Sequence, residues 1–168
     1  MGEIFRGRII SVRQDEVTLP NGRRVTLDVV HHPGAAAIVA VDADDTVALL
    51  RQFRHAVGGY IWEVPAGTLG DGEAPADCAR RELEEETGLV AAQWTPLGSI
   101  VTTPGFCDER MWLFRASGLT LGIAQPEADE RIEMRWFTPA EVDAALADGT
   151  VREGKTLVAL LMEQRRRD

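Results

Sequence analysis

The stretch from Gly67 to Leu89, GTLGDGEAPADCARRELEEETGL, constrains the chain most. It runs from a glycine-rich loop into a helix expected over Pro75 to Thr87. Proline suits a first helical turn, where a missing N–H costs no bond, and Gly88 stands where a left-handed closing residue is wanted. Glu82, Glu85 and Glu86 lie three and four residues apart in that helix. At about 100° per residue, Glu86 falls about 40° to one side of Glu82 and Glu85 about 60° to the other, so the three carboxylates share one face. Like charges at these spacings repel by a few tenths of a kcal/mol per pair, and a helix C-terminus prefers cations. A hard divalent cation offsets both costs, because Mg²⁺ takes its ligands from carboxylates, waters and substrate phosphates. A solvated acidic face is the plain alternative. Against it stand Arg81, four residues before Glu85 and able to hold it, and Glu73 in a loop whose Gly67, Gly70 and Gly72 let backbone approach a ligand.

The rest of the chain reads mostly as strands. Ile4 to Val12 is apolar-rich, and Val17 to Leu19 leads through Pro20-Asn21-Gly22 to the alternating Val25, Leu27 and Val29, a hairpin signal. Ala36 to Val41 and Val47 to Leu50 flank an aspartate-rich turn, and Tyr60 to Val64 is stopped by Pro65. Met111 to Ala116 and Ile132 to Phe137 are further strands. Thr138-Pro139-Ala140-Glu141 is a capping box that opens a short helix. Thr156 to Arg166 is a last helix, with Leu157, Leu160 and Leu161 on its apolar face. The four tryptophans read as core or subunit contacts. Phe5, Phe53 and Phe106 read as core or as platforms for a base.

A length of 168 residues without a linker or repeat favours one domain. The net charge of −9 disfavours nucleic-acid binding. No secretory signal is visible, and the longest apolar run, Ala35 to Val41, is far short of a membrane span, so a soluble cytoplasmic protein is expected, with no membrane partner. Cys78 and Cys107 read as free thiols, Cys78 in the core. His31 and His32 lack partners at metal-ligand spacing. His55 sits close to two arginines and could reach a phosphate, but a lone histidine rarely carries the chemistry, so it is not singled out.

Gly67, Glu73, Arg81, Glu82, Leu83, Glu85, Glu86, Gly88 and Leu89 match all fixed positions of the Nudix box. The chain therefore resembles a Nudix hydrolase. The resemblance implies an α/β (α+β) fold: an α/β/α sandwich around a mixed sheet, here with an antiparallel N-terminal strand extension over 1–33. Glu82 and Glu86 resemble the main metal carboxylates, and Glu85 the third, oriented by Arg81. The carbonyl of Ala66 resembles a further metal ligand, and Glu73 the residue that ties loop to helix. The cofactor implied is Mg²⁺, with Mn²⁺ as substitute.

The flanks resemble the ADP-ribose pyrophosphatase branch. They are Arg51-Gln52-Phe53-Arg54, Glu63-Val64-Pro65-Ala66-Gly67, and the Pro104-Gly105 segment fifteen residues after the box. Arg51 and Arg54 are candidate diphosphate ligands, with exposed surface positions as the alternative. Glu63 is a candidate for a ribose hydroxyl or a base amine. The implied chemistry is metal clamping of the diphosphate with a carboxylate taking the proton of a bound water. Glu127 and Glu130, on the acidic stretch after the box, are candidate bases, with Glu85 as the fallback; relatives often carry an acid where this chain has Ala128. Expected activity is hydrolysis of ADP-ribose to AMP and ribose 5-phosphate. The competing readings are another nucleoside diphosphate sugar such as GDP-mannose, and a non-catalytic ADP-ribose binding module. The N-terminal strands look like the sheet that relatives exchange in a homodimer.

Overall fold

A computed structural model describes residues 2–122 and 132–167. Strand β4 (Ala35–Ala40) shows how the layers are set. All six of its residues are buried. Ala35, Ala37 and Val39 face one apolar cluster, and Ala36, Ile38 and Ala40 face the other. A strand covered on both sides reads as a continuous apolar run, and two-residue periodicity then deals its side chains to two cores.

The central sheet has the order β7-β4-β9-β8, with β7 (Ala66–Thr68), β8 (Leu89–Val101) and β9 (Arg110–Leu121). The β4–β9 pairing is parallel and the other two are antiparallel, so the sheet is mixed. Helix α1 (Pro75–Thr87) covers one face through Cys78, Ala79 and Leu83. Helices α2 (Pro139–Ala147) and α3 (Gly154–Arg167) cover the other through Val142, Ala145, Ala159 and Leu160. A second antiparallel sheet, β10-β5-β6, joins β5 (Val47–Arg54), β6 (Gly59–Glu63) and β10 (Ile132–Phe137). The N-terminal sheet joins β1 (Glu3–Arg6), β2 (Ser11–Thr18) and β3 (Arg24–His31). The expected α/β/α sandwich and its strand extension are therefore present.

Details depart from the sequence reading in instructive ways. The apolar run from Ile4 breaks at a turn, where Gly7 N–H donates to Ile10 C=O at 2.8 Å. Strand β8 carries no clean alternation and contains Pro96 and Gly98. It is an edge strand with a register shift between those two residues, which is where a proline without an N–H is tolerated. In α3 the buried residues include Thr156, Ala159, Leu160 and Glu163, while Leu161 is exposed. Two polar residues occupy the buried stripe because each is satisfied. Thr156 Oγ1 accepts from Val64 N–H, and Glu163 accepts from Arg115 and Arg166. The four tryptophans all lie in strands and pack against the cores. No described helix is long and apolar enough to cross a membrane.

Candidate active site

One face of α1 meets β7 at the floor of a cleft of about 1000 Å³. Arg81 organises this floor. Its Nε and Nη2 each donate at 2.9 Å to one oxygen of Glu73, a bidentate pair. Its Nη1 donates to Glu82 at 2.6 Å and to Glu85 at 3.0 Å. Its Nη2 also reaches the Thr68 carbonyl at 3.2 Å, so a single guanidinium joins loop, strand and helix. These bonds to carboxylates raise the Arg81 pKa further above its ordinary value.

Glu73 also accepts from Gly70 N–H at 2.8 Å. The Arg81 hydrogen bonds, helped by Gly70, hold the Glu73 carboxyl down at about 2, from 4.5. A depressed carboxyl contributes stability that is complete above its unfolded pKa and is lost as pH falls through the folded one. The melting-temperature gap between wild type and Glu73→Gln is thus expected to shrink as pH falls from 4.5 towards 2. Thermal melts followed by circular dichroism across that range check it; a gap independent of pH contradicts it.

Gly67 is required by close approach. A Cβ built there would lie 1.9 Å from the Glu82 carboxyl carbon, so the missing side chain is the space Glu82 occupies. Glu86 is 8% exposed and accepts from Ala66 N–H at 2.9 Å, which docks the helix on β7 beside the Ala66 carbonyl. Cys78 donates to Gly67 C=O at 3.5 Å. Burial, then the Glu82 and Glu73 charges, push its thiol up to about 12, which removes it as a nucleophile.

Other parts of the cleft lining supply cations. Arg54 and Lys155 line the cleft, as do Arg8 and Ile9 from the turn between β1 and β2. Arg51 does not join them. Because β5 continues to Arg54, positions 51 and 54 lie on opposite faces of one strand. Arg51 instead stacks 4.7 Å over the Tyr60 ring and pairs with Glu133 at 3.3 Å. Pro104 and Gly105 also lie off the cleft lining, which takes Thr102 and Thr103 from that segment. Phe5, Phe53 and Phe106 are exposed and none lines the cleft. Glu63 lines it, yet both its oxygens are engaged, by Arg54 Nε at 2.7 Å and by Lys155 Nζ. A ribose or base reaching Glu63 would have to share an oxygen already paired with a cation. His31 and His32 face Asp108 and Glu109. Glu127 and Glu130 lie outside the described residues. Sequence reasoning overlooked Lys155, whose signal was available: it is the only lysine in the chain.

A family model of the NUDIX domain matches residues 30–160. The chain belongs to the Nudix family. It is 38% identical over 162 residues to the ADP-ribose pyrophosphatase of Mycobacterium tuberculosis, covering 94% of this chain and 78% of that protein. It is 36% identical over 160 residues to the methanol dehydrogenase activator of Bacillus methanolicus, covering 94% and 86%. A crystal structure of an ADP compounds hydrolase matches with a TM-score of 0.84 over 98% of this chain and 89% of that one, at 22% identity, a likeness of fold.

The Nudix-box residues offer oxygen donors only, and the space left by Gly67 brings one carboxylate directly against the β7 backbone. That set fits a hard cation. Among the described residues no three acidic, histidine or cysteine side chains form a closed cage. Mg²⁺ needs none, since waters and substrate phosphate complete its shell.

Proposed function

We propose that this Nudix hydrolase cleaves the pyrophosphate bond of ADP-ribose, giving AMP and ribose 5-phosphate, with Mg²⁺ as cofactor and Mn²⁺ as substitute. The observation that carries the reading is the polarity of one cleft: Glu82, Glu85 and Glu86 on its floor, Arg54 and Lys155 on its walls. A cleft of about 1000 Å³ is at the upper end of small-molecule sites and suits an elongated nucleotide sugar. The likeness to an ADP-ribose pyrophosphatase over nearly the whole chain supports the choice of substrate.

Glu82, Glu86 and the Ala66 carbonyl would hold the metal, with Glu85 as third carboxylate. When bound, the ion neutralises diphosphate charge and acidifies a water. The chain's own part is positional. Arg81 keeps Glu82 and Glu85 from repelling one another out of register. Arg54 contacts the diphosphate from the cleft wall. A carboxylate takes the proton of the attacking water. Glu127 and Glu130 are the candidates from sequence, and Glu85 is the candidate on the described floor. Glu127→Gln and Glu130→Gln test the first two: a fall in kcat of at least about tenfold in one identifies it as the base, and no such fall in either leaves Glu85.

The substrate is tested on a panel of ADP-ribose, GDP-mannose, other sugar nucleotides, NADH and nucleoside triphosphates. The highest kcat/KM is expected for ADP-ribose. A maximum at GDP-mannose would keep the chemistry and replace the substrate.

The chain is further proposed to act as one unit, 1–168, paired as a homodimer through the 1–33 extension. Ile4, Phe5 and Leu27 of the N-terminal sheet are exposed, and a small sheet gains stability by covering such a surface. Light scattering is expected to give twice the 18.4 kDa chain mass, and a monomer mass contradicts it.

A further inference from the structure

Helix α3 begins inside the cleft. Glu153, Gly154 and Lys155 all line it. The chain has seventeen arginines and one lysine, and that lysine's side chain is only 10% exposed. Lys155 Nζ bonds one oxygen of Glu63 and lies 3.1 Å from Glu153. The other oxygen of Glu63 accepts from Arg54 Nε at 2.7 Å. Glu63 itself is 3% exposed. A carboxylate this deeply buried is tolerable only with its oxygens occupied, and a compact ammonium occupies one of them without the planar fork an arginine would have to fit.

The backbone reinforces this placement. Thr156 Oγ1 accepts from Val64 N–H at 3.0 Å and donates to Glu153 at 2.8 Å. The start of α3 is thereby fastened to the residue after Glu63, two positions before Ala66. Lys155, Glu63 and Arg54 form a chain of alternating charge whose outer end, Arg54, is 40% exposed. Glu63 engages that guanidinium through Nε, on its inner edge.

We propose that Lys155 is a positioning residue. It holds Glu63, and Glu63 aims the Arg54 guanidinium at the substrate diphosphate; Lys155 touches no substrate atom. The proposal rests on the reading of the cleft as an ADP-ribose site with Arg54 as its diphosphate ligand. Contacts to a phosphate made equally in ground and transition states appear in KM, with kcat nearly constant. Residues that act through one another are non-additive, whereas independent contributions add.

The test is a double-mutant cycle on ADP-ribose hydrolysis with Mg²⁺, using Arg54→Ala, Lys155→Met and the pair. Lys155→Met is expected to raise KM about tenfold with kcat within about threefold, and to change KM less than about twofold in the Arg54→Ala background. Should Lys155→Met not fold, Lys155→Gln takes its place because its neutral amide removes the ammonium charge that holds Glu63; the same non-additivity with Arg54→Ala is expected, and a wild-type KM would overturn the proposal. Additive effects on KM, or a fall in kcat at constant KM, would overturn the proposal. If wild type does not turn over ADP-ribose, the substrate reading fails by itself. The same cycle is then read on the Kd of ADP-ribose by titration calorimetry, where additivity again overturns the proposal and non-additivity upholds it.

Discussion

Glu86→Gln is expected to lower kcat for ADP-ribose by about 10³-fold while leaving the melting temperature unchanged or slightly raised. Glutamine has the same shape, and its amide oxygen can keep the bond from Ala66 N–H. The packing of α1 on β7 therefore survives. What disappears is one negative charge beside Glu82, four residues earlier, where like charges at that spacing are mutually destabilising. Loss of activity without loss of stability separates a metal carboxylate from a structural one. Steady-state kinetics alongside thermal melts make the distinction; activity within tenfold of wild type would remove Glu86 from the metal site.

Gly67→Ala should cost at least about 10²-fold in kcat, because a misplacement of about 1 Å in a positioned group costs that much. The clash is with the carboxyl end of Glu82, a movable group, and the Gly67 φ is one any residue adopts. The fold yields by displacing Glu82, which breaks its 2.6 Å bond from Arg81 and takes the carboxylate off the floor. The melting temperature is expected to fall only a few degrees. A crystal structure of the variant with Glu82 unmoved, or a kcat near wild type, would contradict this.

Much of this site is local, and local features are legible in sequence. Helix α1 from Pro75 to Thr87, its Gly88 terminus and the shared face of Glu82, Glu85 and Glu86 depend on spacing within one element. The Thr138 capping box is equally local, and both its bonds are present. Features set by distant partners were hidden. Arg51 and Arg54 look alike as Arg-Gln-Phe-Arg, and only the continuation of β5 through Arg54 sends them to opposite faces. Strand β8 conceals itself behind Pro96 and Gly98, which its edge position and register shift accommodate. Lys155 is 92 residues from Glu63, and no pattern of period two or 3.6 connects them. The apolar face of α3 is legible in Leu157 and Leu160, but Leu161 is exposed, and Thr156 and Glu163 share the buried stripe because their partners lie after β6 and on β9, across the fold.

The proposed function makes the cleft a divalent-metal diphosphatase centre. The most direct measurement incubates the wild-type protein with ADP-ribose, once with Mg²⁺ and once with excess chelator, and resolves the products by ion-exchange chromatography. Equimolar AMP and ribose 5-phosphate with Mg²⁺, and neither with chelator, is the predicted result. ADP-ribose bound but uncleaved under both conditions would contradict it and make the chain a binding module on a hydrolase fold.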